Sequence, residues 1–208
     1  MSPDNTFAAE LQRHLLQDEQ PSQYLNDIAC KPEFTGYPYT MLLKQRGTEQ
    51  SPVHHPEGTV WNHTLLVVDE AAKVRNLSKN PTAFMWAALL HDIGKPDTTQ
   101  VRKGKITSYD HEKVGERLAR EFLSSIGLDA ALIDEICGLV RYHMQILYVV
   151  NHLRFADIEG MREHTDIREI ALLGRCDRLG RIGYDRKKEE ENIRLFLTRC
   201  NISDSFSL

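Results

Sequence analysis

Four histidines and an aspartate stand at positions where helical periodicity calls for apolar side chains, with a second aspartate beside one of them. His63 falls three residues after Val60 and four before Val67, on one stripe of a helical repeat. His91 follows Phe84 by seven and Ala88 by three, with Asp92 beside it. His111 leads a stripe through Val114, Leu118 and Phe122. His143 follows Ile136 by seven and Val140 by three, and Asp177 follows Ile170 by seven. One hydrogen bond satisfies a lone inward imidazole, but an unpaired buried carboxylate is costly and calls for a cation or strong donors. Imidazoles and carboxylates converging from five helices make a poor hydrophobic centre and a good metal site. The donor mix suits one or two divalent transition-metal ions (Fe, Mn, Zn, Co or Ni) and suits calcium badly.

The elements that must carry these residues are helical. Phe7, Leu11 and Leu15 mark a first helix, with Asp4 or Asn5 as its cap. Further helices are predicted over 22–29, 37–46, 59–77, 81–93, 110–126, 129–149 and 166–181. A shorter one is expected near 154–161 and a charged one over 185–200. Pro81 fits a first helical turn, Gly94 and Gly127 fit helix stops, and Asp110 fits a cap. The segment 48–58 reads as an ordered loop. The polar run before Ser108 reads as a loop or as a small hairpin about Lys103-Gly104. Strand-like alternation is scarce. The expected fold is all-α: a single helical bundle over 51–185, a short N-terminal helical annex over 1–50, and a C-terminal helix and tail over 186–208.

Composition narrows the function. The chain has 208 residues, 41% hydrophobic and 27% charged, which excludes wholesale disorder. The formal net charge of −4 argues against long nucleic acid as a partner, since phosphate contacts need a basic surface. Cys30, Cys137, Cys176 and Cys200 form no CxxC pair and read as reduced thiols. No signal-like start or membrane-length apolar run is present, so a cytoplasmic location and no membrane partner are expected.

His63, the HDIGKP stretch from His91 to Pro96, and Asp177 within CDRLGR resemble the HD superfamily of metal-dependent phosphohydrolases. With HHPEGTVWNHTLLVVDEAA, DHEKVGE and RYHM, the pattern is most similar to the HD domain attached to bacterial tRNA nucleotidyltransferases, over 37–186. The chain has no GG pair and no DxD motif and is short for both domains, so nucleotide transfer to tRNA is not expected and a stand-alone hydrolase is. The resemblance implies that His63, His91, Asp92 and Asp177 hold one ion. It also implies that His111 and His143 hold a second ion bridged by Asp92, or else support a single one.

The implied reaction is attack of a metal-bound hydroxide on a phosphomonoester or phosphodiester of a nucleotide or small phosphorylated molecule. Asp92 and Lys95 are the expected catalytic residues, Lys95 stabilising phosphoryl charge. Arg178 and Arg181 are either solvated helix-end charges or phosphate contacts at the pocket mouth, and His55, with His54, is expected to line the pocket. Glu112, His14, His152 and His164 are expected at the surface or in caps. The KKEEE run over 187–191 is expected to be a solvated face, and Thr98 and Thr99 to cap a turn. Two rival classes are a di-iron oxygenase with the same ligand order and a non-catalytic nucleotide- or RNA-binding module.

Overall fold

Side-chain oxygens start most of the long helices in the computed structural model, which describes residues 3–202. Thr59, Asn80, Asp129, Asp166 and Asp185 each accept a hydrogen bond from a first-turn N–H. The helices that follow them are α4 (Val60–Val74), α5 (Pro81–Leu90), α8 (Ala130–Tyr142), α11 (Ile167–Leu179) and α12 (Arg186–Arg199). Before these lie α1 (Pro3–Gln17), α2 (Pro21–Ile28) and α3 (Thr40–Leu43). Among them are set α6 (Lys95–Thr98), α7 (His111–Ser125), α9 (Gln145–Val150) and α10 (Ile158–His164). One antiparallel hairpin, β1 (Thr99–Arg102) with β2 (Lys105–Ser108), interrupts the all-α architecture. Lys103 and Gly104 both have positive φ, 51° and 74°, the twist a two-residue hairpin turn needs. Of the loop and the hairpin left open above, the hairpin is present.

The axis of the fold is α5, whose residues are buried from Ala83 through Leu90. Apolar on every side, it must be surrounded, and α1, α4, α8 and α11 pack against it. Burying a side chain such as Phe84 or Leu89 in this way contributes about 1.5–3 kcal/mol each. Leu11, Leu25 and Phe34 near the N-terminus share one hydrophobic core with Trp61, Phe122 and Phe196. The Trp86 indole N–H donates to Gln12 Oε1 at 3.0 Å and ties α1 to α5.

Several expected boundaries are corrected. Asp4 and Asn5 lie inside α1, which begins at Pro3. The helix expected over 37–46 is only α3, followed by a 3-10 turn. The helix expected over 129–149 breaks at His143, and the one expected over 81–93 stops at Leu90. The helix expected near 154–161 starts later, because Asp157 accepts from Gly160 N–H. Asp110 takes a left-handed conformation (φ 58°) with no cap bond, and its carboxylate pairs with Lys113 at 2.7 Å. Among the described residues, no helix is long and apolar enough to cross a membrane.

Candidate metal centre

Helix ends place three of the four histidines. His91 sits at the end of α5 and donates from Nδ1 to the Ala88 carbonyl at 2.9 Å. His143 repeats this at the end of α8, donating to the Val140 carbonyl at 2.7 Å. His111 opens α7 and donates to the Ser108 carbonyl at 2.7 Å. A carbonyl only accepts, so each ring carries a hydrogen on Nδ1 and turns Nε2 inward. His63 reaches the same place from the first turn of α4, and Asp177 from the last turn of α11. Gly94 lets the turn after α5 touch α7: a Cβ there would lie 2.1 Å from the His111 carbonyl oxygen.

Asp92 lies at the centre of this gathering. Its Oδ2 is 3.2 Å from His91 Nε2 and 3.8 Å from His63 Nε2. Its Oδ1 is 3.4 Å from His111 Nε2 and 3.7 Å from His143 Nε2. Two groups result, His63–His91–Asp92 and Asp92–His111–His143, each with its donor atoms within 4.8 Å of one another. Asp177 Oδ1 adjoins the first group, 3.0 Å from His63 Nε2. All six residues are buried. A cavity of about 440 Å³ opens beside them, lined by Asp92, His111, His143, Asp177, Lys95 and Arg181 among others.

An HD-domain family model matches residues 60–195. The chain belongs to the HD-domain family. Its HD region is similar to a multifunctional CCA protein of Actinobacillus pleuropneumoniae serotype 5b, 30% identical over 150 residues, covering 68% of this chain and 36% of the relative. A CC-adding tRNA nucleotidyltransferase of Thermus thermophilus is 30% identical over 148 residues, covering 69% and 32%. An A-adding tRNA nucleotidyltransferase of Deinococcus radiodurans is 30% identical over 108 residues, covering 50% and 23%. The matched part of the chain thus spans about a third of the length of these relatives, or less.

Both carboxylates and two of the imidazoles in this HD domain are held in the forms that a divalent ion requires. Burial alone would raise both aspartates. Lys95 and His91 instead hold Asp92 well below the usual carboxylate range, and Arg181 and His63 do the same for Asp177. Burial, reinforced by His111 and His91, pushes His143 down to about 3, and burial lowers His111 as well. Against its burial, His91 is raised by Asp92. Ionised carboxylates therefore face two imidazoles, His111 and His143, that are held toward the neutral form. His91 Nε2 and Asp92 Oδ2 lie buried 3.2 Å apart, and Lys95 Nζ is the cation beside that oxygen, at 2.7 Å. Buried imidazole nitrogens and carboxylate oxygens gathered in two groups are the donor set that a divalent transition-metal ion takes. The residues present fit a divalent metal.

The remaining expected site residues are placed as follows. Lys95 Nζ lies 2.7 Å from Asp92 Oδ2 and donates to Gln50 Oε1 at 2.6 Å. Arg181 donates to both Asp177 oxygens, at 3.1 and 3.2 Å. Arg178 donates to Glu189 at 3.0 Å and lines a small cavity with His143, Asp177 and Arg181, whereas Lys95 and Arg181 line the cavity of about 440 Å³. His55 lines that cavity with His54. Burial, with Lys95 and His63, pushes His55 down to about 3. Thr98 and Thr99 donate to the carbonyls of Gly94 and Lys95, as turn caps do. His152 and His164 are exposed, whereas His14 is half-buried, stacked on Tyr24 and bonded to Asp18. The 187–191 run is not wholly solvated, because Glu189 pairs with Arg178 and Glu190 with Arg175.

Two acids escaped the sequence reading. Glu57 Oε1 lies 3.0 Å from His63 Nδ1 and 2.8 Å from His55 Nδ1, which puts a carboxylate behind the outer nitrogen of a candidate ligand. Burial would raise Glu57, yet the two histidines and a backbone N–H hold it down at about 2. The only signal for it was the HHPE stretch, which has no periodicity to assign a face. Glu112, expected at the surface, is buried, with Oε2 3.8 Å from His111 Nδ1. The Tyr148 hydroxyl of α9 hydrogen-bonds to Glu112, and periodicity carries no trace of that contact.

Proposed function

We propose that this HD-domain protein is a phosphohydrolase that holds two divalent transition-metal ions and cleaves a phosphate ester of a nucleotide or small phosphorylated molecule. The observation that carries the reading is the division of labour at Asp92, one carboxylate oxygen facing His63 and His91 and the other facing His111 and His143. His63, His91, Asp92 and Asp177 would hold one ion, and Asp92, His111 and His143 the other. Bound there, such ions supply Lewis acidity toward phosphoryl oxygens and lower the pKa of water toward neutrality. The HD family as a whole, characterised by metal-dependent phosphohydrolysis, supports the same reading.

The chain's own groups supply the rest. Lys95, buried at the cavity wall, offers a cation to an anionic phosphoryl oxygen. Arg181 orients Asp177 through a two-point contact and brings a second positive charge to the cavity. Glu57 holds His63 in one tautomer. In this reading the catalytic unit is the bundle over 51–185, flanked by the N-terminal helices and by α12. The names of the relatives place tRNA among the molecules to be tried, alongside free nucleotides.

The test is metal analysis of the purified protein followed by phosphate release from mononucleotides, simple phosphomonoesters and a short RNA bearing a terminal phosphate. Turnover that needs metal, with both metal and turnover lost in Asp92→Ala, is expected. Oxygen consumption by an iron-loaded form without phosphate release would move the protein to the oxygenase class. Tight nucleotide binding without turnover would make it a binding module.

A further inference from the structure

The cavity beside the candidate metal centre is larger than a phosphate group needs, and part of its wall is aromatic. Tyr109, Tyr148 and Phe155 line it, with Leu147 and Leu153. Its volume of about 440 Å³ is that of a pocket for a small organic ligand. Tyr109 and Phe155 are 66% and 48% exposed, among the large apolar side chains that the core leaves uncovered. The Tyr148 and Phe155 rings lie 5.6 Å apart at 51°, and the Arg154 guanidinium stands 4.8 Å from the Phe155 ring centre.

The exposure of Phe155 is built into the fold. Buried Gln145 clamps the segment after α9 from both ends of its amide. Its Nε2 donates to the Phe155 carbonyl at 3.2 Å, and its Oε1 accepts from Asp157 N–H at 2.8 Å. Leu153 N–H donates to the Tyr148 carbonyl at 2.9 Å. Arg199 holds the end of α9 with bonds of 2.7 Å to the carbonyls of both Val149 and Val150. A segment tied this firmly keeps an aromatic ring at the water face of a cavity. The same cavity carries the cations Lys95 and Arg181, so one site offers charge for a phosphate and flat apolar faces for a ring. Thr107, Ser108 and Gln50 add polar groups suited to a ring edge.

We propose that Tyr109, Tyr148 and Phe155 form a stacking subsite for the nucleobase of the phosphate ester whose phosphate lies against the His–Asp groups. The inference rests on the phosphohydrolase reading for the position of the phosphate. Stacking is tolerant of base identity, so the subsite selects base-bearing esters over base-free ones, whatever the base.

The test compares adenosine 3′-monophosphate, free and at the end of a short single-stranded RNA, with ribose 5-phosphate on manganese-loaded protein. Equilibrium binding and phosphate release are measured in parallel. Base-bearing ligands are expected to bind about 10- to 100-fold more tightly. Phe155→Ala and Tyr148→Ala should shrink that ratio toward one, whereas Leu77→Ala, at an exposed apolar residue that does not line the cavity, should preserve it. Preference for either adenosine form supports the subsite, and the stronger of the two identifies the source of the base. Base-selective binding that Phe155→Ala abolishes, without phosphate release, supports the subsite and overturns the hydrolase reading. Release from all three compounds with equal binding overturns the subsite alone. Failure of every compound to bind overturns both.

Discussion

Lys95 Nζ and His91 Nε2 approach the same oxygen, Asp92 Oδ2, at 2.7 and 3.2 Å. An ion held through that oxygen would have an ammonium group as its neighbour. The two positive charges repel, so Lys95 weakens binding of the metal while offering a cation to the substrate. Lys95→Met is therefore expected to bind manganese more tightly and to lower kcat on the order of 100-fold, the scale of removing one preorganised charged donor. Metal titration beside steady-state kinetics checks both signs. Unchanged kcat would reduce Lys95 to a structural partner of Gln50.

Glu57→Gln separates the two metal groups. It removes the charge behind His63 Nδ1 and leaves the His111–His143 pair untouched. Affinity for one ion should drop by about 10- to 100-fold, with the other retained. Metal content per chain after dialysis at graded metal concentrations reads this out. Equal loss of both ions would show that Glu57 supports the fold as a whole.

Gly94→Ala should be severe. Its Cβ would lie 2.1 Å from the His111 carbonyl oxygen and 2.6 Å from Gly115 N, both backbone atoms. Forcing α7 away from the turn is expected to cost on the order of 3 kcal/mol. Gly104 has open space around it and needs only its left-handed φ of 74°, so Gly104→Ala should cost about 1 kcal/mol. Urea unfolding of the two variants side by side tests the order.

Acid should destabilise the chelator-treated protein well before its carboxylates titrate. Burial, aided by neighbouring positive groups, holds His143 and His55 at about 3, and burial also lowers His111. Unfolded imidazoles titrate near 6.5. Between about pH 3 and 6.5 the unfolded chain therefore binds more protons than the folded one, and stability falls as pH falls. His91, raised by Asp92 against its burial, works in the opposite sense, one group against three. A lower urea midpoint at pH 5 than at pH 7.5 is expected. An equal or higher midpoint at pH 5 would contradict the assignment of neutral imidazoles.

The donor set was legible because it violated a pattern: polar residues on apolar stripes announce themselves at His63, His111, His143 and Asp177. What periodicity could not show was where helices stop. A residue such as His143 keeps phase with Ile136 and Val140 whether its helix continues or, as here, ends. Glu57 lies in a loop with no phase at all. Glu112 was misread because its partner, Tyr148, comes from α9, a contact distant from any local rule. The aromatic wall was equally silent, since Tyr109, Tyr148 and Phe155 belong to three separate segments.

His91 and His143 each use a hydrogen bond to the carbonyl three residues back to settle their tautomer. Each ring is thereby keyed to the last turn of its own helix. The connector after His143 can therefore change, and so reshape what enters the cavity, while that imidazole keeps its aim.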